Sequence, residues 1–166
     1  MNSRGKTKGQ LANELAEKDQ RIAELEKSER AAQEARRYAE AIVATVPDPL
    51  VILDADLRVI SANRSFYQTF KVVPEETEGR FIYELGNRQW DIPQLHKLLE
   101  QILPEDTKLE NFEVEHDFPV IGRRVMRLNA RPIYREASKA EMILLGIEDI
   151  TERKQAEARI QHLNAV

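Results

Sequence analysis

The residues of this chain that could do chemistry are few and dispersed. Cysteine is absent, which removes thiolate nucleophiles, disulfides, thiolate metal sites and any thiol-linked chromophore. His96, His116 and His162 are the histidines, and their separation does not match metal-ligand spacing. No Ser-His-Asp set, phosphate loop or carboxylate pair stands out from the spacing. The densest charge pattern sets Glu113, Glu115 and Asp117 against Arg123, Arg124, Arg127 and Arg131. These arginines could hold an anion, but pairing with the carboxylates across two strands is the plainer reading. Such a solvated ladder contributes little per pair. His116 interrupts an apolar strand face, which makes it the better polar candidate for an internal cavity; a hydrogen-bonded core histidine is the more ordinary alternative. Asp149 and Thr151 stand where a strand gives way to a helix. There Thr151 can cap the helix, and Asp149 can accept hydrogen bonds from its first amides.

The elements that must position these residues are legible from composition and period. At 166 residues, 42% hydrophobic and 33% charged, the chain holds one core of ordinary size plus solvated appendages. Its apolar runs are too short to span a bilayer, and the N-terminus lacks the apolar stretch of a signal peptide, so a cytoplasmic protein is expected. A net charge of -4 gives no global footprint for nucleic acid. Residues 1–10, with Arg4, Lys6 and Lys8 and no acid, read as a flexible basic tail. Residues 11–46 contain neither glycine nor proline and read as one long helix. A heptad register places Leu15, Ile22 and Val43 at a, with Leu11, Leu25, Ala32, Ala39 and Val46 at d. Glu29 and Arg36 at a and Lys18 at d interrupt this seam, which favours a weak parallel two-stranded coiled coil over a lone solvated helix.

Residues 50–53 and 57–62 form two β-rich runs around the turn residues Asp54-Ala55-Asp56. Asn63 then caps a short helix carrying Phe66, Tyr67 and Phe70 at helical spacing. A one-turn helix at residues 74–80 opens on Pro74 and closes on Gly79, and residues 81–85 make another turn. Trp90 either lines a cavity mouth or anchors its loop in the core. Asp91 caps a longer helix with Pro93 in its first turn and Ile92, Leu95, Leu99 and Ile102 as its buried stripe, bordered by His96. Three strands follow. Phe112, Val114, His116 and Phe118 alternate with acids, Met126, Leu128 and Ala130 point inward on the returning strand, and residues 142–147 are apolar on both faces. The last helix starts at Thr151 and leaves His162 exposed.

The stretch PDPLVILDADLRVISANRSFYQTF at residues 47–70 resembles the opening of the PAS domains of bacterial signalling proteins, which typically reads P-x-x-I/V-x-x-x-D-x-x-x-x-I-x-x-x-N-x-x-F. Residues 75–85 are similar to their x-E-E-x-x-G-R/K-x-x-x-E-L stretch. Asp149-Ile150-Thr151-Glu152-Arg153-Lys154 resembles the D-I-T-E-R-K junction at which many of these domains end. The resemblance implies an α+β PAS fold: a five-stranded antiparallel sheet with short helices on one face, flanked by long N- and C-terminal signalling helices. It divides the chain into the tail 1–10, the helix 11–46, a PAS domain 47–150 and the signalling helix 151–166.

The resemblance is strongest to PAS domains preceding histidine kinases or joined to chemotaxis methyltransferase and methylesterase domains. It implies a sensory or signal-relay module that couples a ligand or contact change to an output domain. No kinase core is present, so no enzyme activity is expected. The implied candidate cavity is lined by Ile60, Phe66, Phe70, Leu85, Leu95, Leu99, His116, Met126 and Leu128, with Asp149 and Thr151 transmitting the signal. No cofactor is required by the sequence. The flavin-thiol adduct is excluded for want of a cysteine. Haem-binding PAS domains place their axial histidine on the helix where His96 lies, so His96 is the one candidate haem ligand, a solvated or edge-packed histidine being preferred. The implied partners are a second copy, through the N- and C-terminal helices, a small-molecule ligand and an output domain; membrane and nucleic acid are not expected. The alternative is a ligand-free dimerisation and docking module.

Overall fold

The computed structural model describes residues 5–134 and 140–165; the part of the expected tail at residues 1–4, and Val166, lie outside them. The chain divides into two units, Met1–Ile42 and Val43–Val166. The first is built from helix α1 (Lys8–Thr45), none of whose residues is buried. It begins three residues before the expected start at residue 11. The Gln10 amide donates to Thr7 Oγ1 at 3.3 Å while the Thr7 amide donates to Gln10 Oε1 at 2.9 Å. This reciprocal capping box satisfies two terminal amides and pulls the boundary back to Lys8.

The second unit is an antiparallel sheet in the order β2-β1-β5-β4-β3, from β1 (Leu50–Asp54), β2 (Val59–Ala62), β3 (Leu109–Phe118), β4 (Gly122–Tyr134) and β5 (Ala140–Asp149). Between β2 and β3 the chain forms α2 (Arg64–Phe70), α3 (Pro74–Thr77), a 3-10 turn (Ile82–Glu84), the single turn α4 (Leu85–Arg88) and α5 (Pro93–Ile102). The last helix is α6 (Thr151–Asn164). Alternation decides which sheet face the intervening helices cover: Val51, Leu53, Val114, Met126, Leu128, Ile143 and Leu145 are all buried and sit at every second position. Against them α2 and α5 contribute Phe66, Phe70, Leu95, Leu99 and Ile102.

The centre of this core is aromatic. Trp90 is fully buried, 4.9 Å from Phe70 and 5.3 Å from Phe118 between ring centroids, a spacing that favours tilted ring pairs. It anchors its loop in the core rather than lining a cavity mouth. The β1–β2 turn is held as its sequence suggests, by Asp54 Oδ1 accepting from the Asp56 and Arg58 amides, both at 2.9 Å.

Ile60 does not point inward: it is 43% exposed. Leu53 pairs with Val59 and Ile52 with Ser61, so Ile60 falls into a β-bulge with no partner on β1. The extra residue turns it away from the core, and Leu57 and Val59 fill the inward positions instead. The turn at α4 is strained, because Gly86, Asn87 and Arg88 have φ of 53°, 60° and 61°. Only glycine fits at the first of these. A Cβ on Gly86 would lie 2.0 Å from Gln89 Nε2, and Gln89 is buried. Gly86→Ala should therefore lower unfolding free energy by at least about 1–2 kcal/mol, the cost of a left-handed non-glycine residue, read as a lower urea midpoint with an unchanged slope.

Candidate functional site

Two kinds of site emerge: an open groove beside the helices, and a pair of junctions at which the chain enters and leaves the sheet. The groove has a volume of about 940 Å³. Its apolar lining comes from Leu57 after the β1–β2 turn, Leu99 and Leu103 around α5, and Ile143 on β5. Aromatic walls come from Phe81, Tyr83 and Tyr134, and its carboxylates are Asp56, Glu84, Glu100 and Asp106. Helix α5 can supply one wall because His96, Leu99, Glu100 and Leu103 recur at helical spacing on one side.

At one edge of the groove His96 lies flat on Tyr83, with ring centroids 3.5 Å apart and planes 13° from parallel. Its Nε2 lies 2.8 Å from Asp91 Oδ1. Asp91 is therefore not the cap of α5, as its sequence position suggests; the capping position falls to Ile92, which offers no side-chain bond. Instead the carboxylate bridges His96 and Arg88, whose Nη2 stands 2.6 Å from Asp91 Oδ2. The Arg88 hydrogen bond is the main reason that the Asp91 carboxyl is held below its ordinary range, with His96 adding to it. Burial raises the Tyr83 hydroxyl well above its ordinary value, reinforced by Glu100 and Asp91, so Tyr83 is protonated at neutral pH. With Nε2 committed to Asp91 and one ring face to Tyr83, His96 is an edge-packed histidine in this geometry. Among the described residues no three histidine or acidic side chains converge on a metal position.

Of the nine residues expected to line a cavity, Leu99 borders the groove. Phe66, Phe70, Leu85, Leu95, Met126 and Leu128 point inward and are buried, but they pack against one another and Trp90. The core cluster that holds them also holds Leu57, Leu99 and Ile143, the residues through which it borders the groove. His116 is half-buried with its ring 5.1 Å from Phe118 and lies outside the groove, because β3 is the outermost strand. Sequence reasoning missed Tyr83, Tyr134 and the four acids, which come from separate elements and share no period.

At the incoming junction Asn63 does far more than cap α2. Its Oδ1 accepts from the Phe66 amide at 3.0 Å and from the Leu50 amide at 2.9 Å; its Nδ2 donates to the Asp48 carbonyl at 2.9 Å and the Val43 carbonyl at 3.4 Å. Ser65 Oγ adds a bond to the Pro47 carbonyl at 2.5 Å. At the outgoing junction Thr151 is not the cap residue but the first residue of α6, after Ile150 at the capping position. The Thr151 hydroxyl donates to Asp149 Oδ1 at 2.5 Å and accepts from the Val125 amide of β4 at 2.9 Å. Asp149 Oδ1 also accepts from the Thr151 amide at 3.0 Å, and Arg124 reaches Asp149 Oδ2 at 3.4 Å. The two junctions adjoin, since the Ile147 amide of β5 donates to the Pro49 carbonyl at 2.9 Å.

The arginine ladder is shared out differently from its sequence reading. Arg123 pairs with Glu115 at 2.8 Å, but Arg127 binds Glu148 on β5 and Glu113 takes Lys154 of α6 at 2.8 Å. Strand β4 lies between β3 and β5, so its outward arginines can choose either flank. Arg131 reaches Glu110 at 3.4 Å.

These descriptions can be set beside known proteins. The sequence profile of the family described as "PAS fold" matches residues 43–155. Among solved structures, the PAS domain of an HTR-like protein from Haloarcula marismortui aligns with a TM-score of 0.57 at 21% identity, over 75% of this chain and 99% of that one. The PAS domain of BvgS from Bordetella pertussis gives 0.55 at 20% identity, over 80% and 98%. A sensory box sensor histidine kinase from Vibrio cholerae gives 0.52 at 20%, over 75% and 98%. No curated protein matches the chain.

Three outcomes follow from the geometry. Asn63→Ala leaves the Leu50 and Phe66 amides without their acceptor and should cost about 1–3 kcal/mol by urea denaturation. Asp149→Ala should instead speed hydrogen exchange at the start of α6 while leaving the core protected. Arg88→Ala should raise the Asp91 pKa toward its ordinary 3.8, seen in a carboxyl-carbon NMR titration. A depressed aspartate contributes stability above its unfolded pKa and loses it as pH falls through its folded pKa, so the variant should also lose the small part of the acid dependence of stability that belongs to Asp91.

Proposed function

The chain belongs to the PAS fold family, and on that premise we propose that it is a sensory and signal-relay module. A ligand taken up in the groove biases the two junctions, and the flanking helices carry that change to an output domain such as a histidine kinase. The observation that carries this reading is the adjacency of the junctions. The incoming segment held by Asn63 and the outgoing Asp149–Thr151 segment meet at neighbouring strands, joined by the Ile147–Pro49 bond. A shift of β5 against β1 would therefore act on both connections together, as expected for a switch between two packed arrangements.

The relay works as a dimer through the N- and C-terminal helices. In support, α1 exposes Leu11, Leu15, Ile22 and Leu25, apolar residues at the heptad positions of a coiled-coil seam. No helix among the described residues is long and apolar enough to cross a membrane, in keeping with action in the cytoplasm. The module itself catalyses nothing, and its ligand is not a thiol-linked flavin, since the chain has no cysteine.

The packed aromatic centre around Trp90 favours a second reading, a ligand-free dimerisation and docking module. Native mass spectrometry of the protein purified without added ligand separates the two. The sensor reading expects a dimer carrying extra mass, whereas bare dimers that take up no small molecule favour docking. A monomer overturns the helix-mediated dimer.

A further inference from the structure

Acidic groups predominate in the groove. Four carboxylates, Asp56, Glu84, Glu100 and Asp106, border it, and Asp106 is further held by the Tyr134 hydroxyl. One guanidinium, that of Arg88, also borders the groove and is paired with Asp91; that of Arg58 is held by the Gly79 carbonyl at 3.0 Å and the face of Phe81 at 3.8 Å. A cleft in which one sign of charge predominates concentrates ions of the other. The Tyr83 hydroxyl, at the groove wall, is buried and has no hydrogen-bond partner among the described residues. The aromatic walls of the groove attract an organic cation, and its apolar walls bury the body of such an ion. The volume, about 940 Å³, lies in the range of small-molecule sites, roughly 300–1,000 Å³. A metal ion is a poorer fit, because no three ligating side chains among the described residues converge. A phosphate- or carboxylate-bearing molecule would meet four like charges against one arginine, itself paired with Asp91.

We propose that the groove binds a small organic ammonium ion with an apolar body, held by the acidic border and the Tyr83 wall. This rests on the reading of the groove as the sensory site. The test titrates the full chain, at low salt, with 2-phenylethylamine, 2-phenylethanol and phenylacetate, probes of like size and different charge, followed by amide NMR. The amine should bind at least about tenfold more tightly than the other two and shift the amides of Tyr83, Leu99 and Glu100. Glu84→Gln/Glu100→Gln, which changes exposed side chains only, should weaken the amine about fivefold, in line with two partly solvated charge contacts, with the circular dichroism unchanged. Equal or tighter binding of the alcohol or the carboxylate at these amides overturns the cation assignment and keeps the groove as a site. No binding by any of the three overturns the proposal, and with it the groove as the sensory site if the purified protein also carries no extra mass.

Discussion

A buried side-chain amide must satisfy both its oxygen and its nitrogen or cost the fold the desolvation of each. Asn63 meets this demand by binding four backbone groups, at Val43, Asp48, Leu50 and Phe66. That requirement ties the last turn of α1, the segment before β1, the first residue of β1 and the start of α2 into one unit. No apolar residue could do this, and an aspartate would lack the donors for the two carbonyls. The remainder of the sheet unit is built outward from this knot: β1 pairs with β5, β5 with β4, and the exit to α6 is pinned back onto β4 through Thr151.

What the sequence made legible follows from which physical signals are local. Alternation along residues 112–118 and 124–133 is written residue by residue, and β3 and β4 stand where it indicates. The stripe Ile92, Leu95, Leu99 and Ile102 is likewise buried, because helical period needs no knowledge of what it packs against. Ile60 failed for the opposite reason. A bulge adds one residue to one strand of a pair and reverses the facing of its side chain, and nothing in a single strand announces it. Asp91 and Thr151 carry good capping chemistry, yet each found a stronger use, Asp91 with Arg88 and His96, Thr151 with the Val125 amide.

The candidate site was the least legible part. Period can say which side chains face inward, but not whether they leave room for anything else. Trp90 packs on Phe70 and Phe118, and no period along the chain announces that contact. The groove lies beside α5, where Leu57, Tyr83, Leu99 and Ile143 are drawn from the β1–β2 turn, the 3-10 turn, α5 and β5. These residues share no spacing, since their proximity is a product of the completed fold.

The outermost strand β3 has a consequence for how copies of the protein behave when concentrated. An edge strand offers unpaired backbone groups on which another chain could build, and such edges seed aggregation unless they are made unsuitable. Here Glu110, Glu113, Glu115 and Asp117 stud the strand with negative charge. Its pairing is also broken between Leu109 and Phe112, where Asn111 has a φ of 53° and its amide turns to Asn129 Oδ1. Two such edges brought together would oppose like charges and fail to align their backbones. The acids that make a modest ladder with the arginines thus also keep the sheet from growing beyond its own fifth strand.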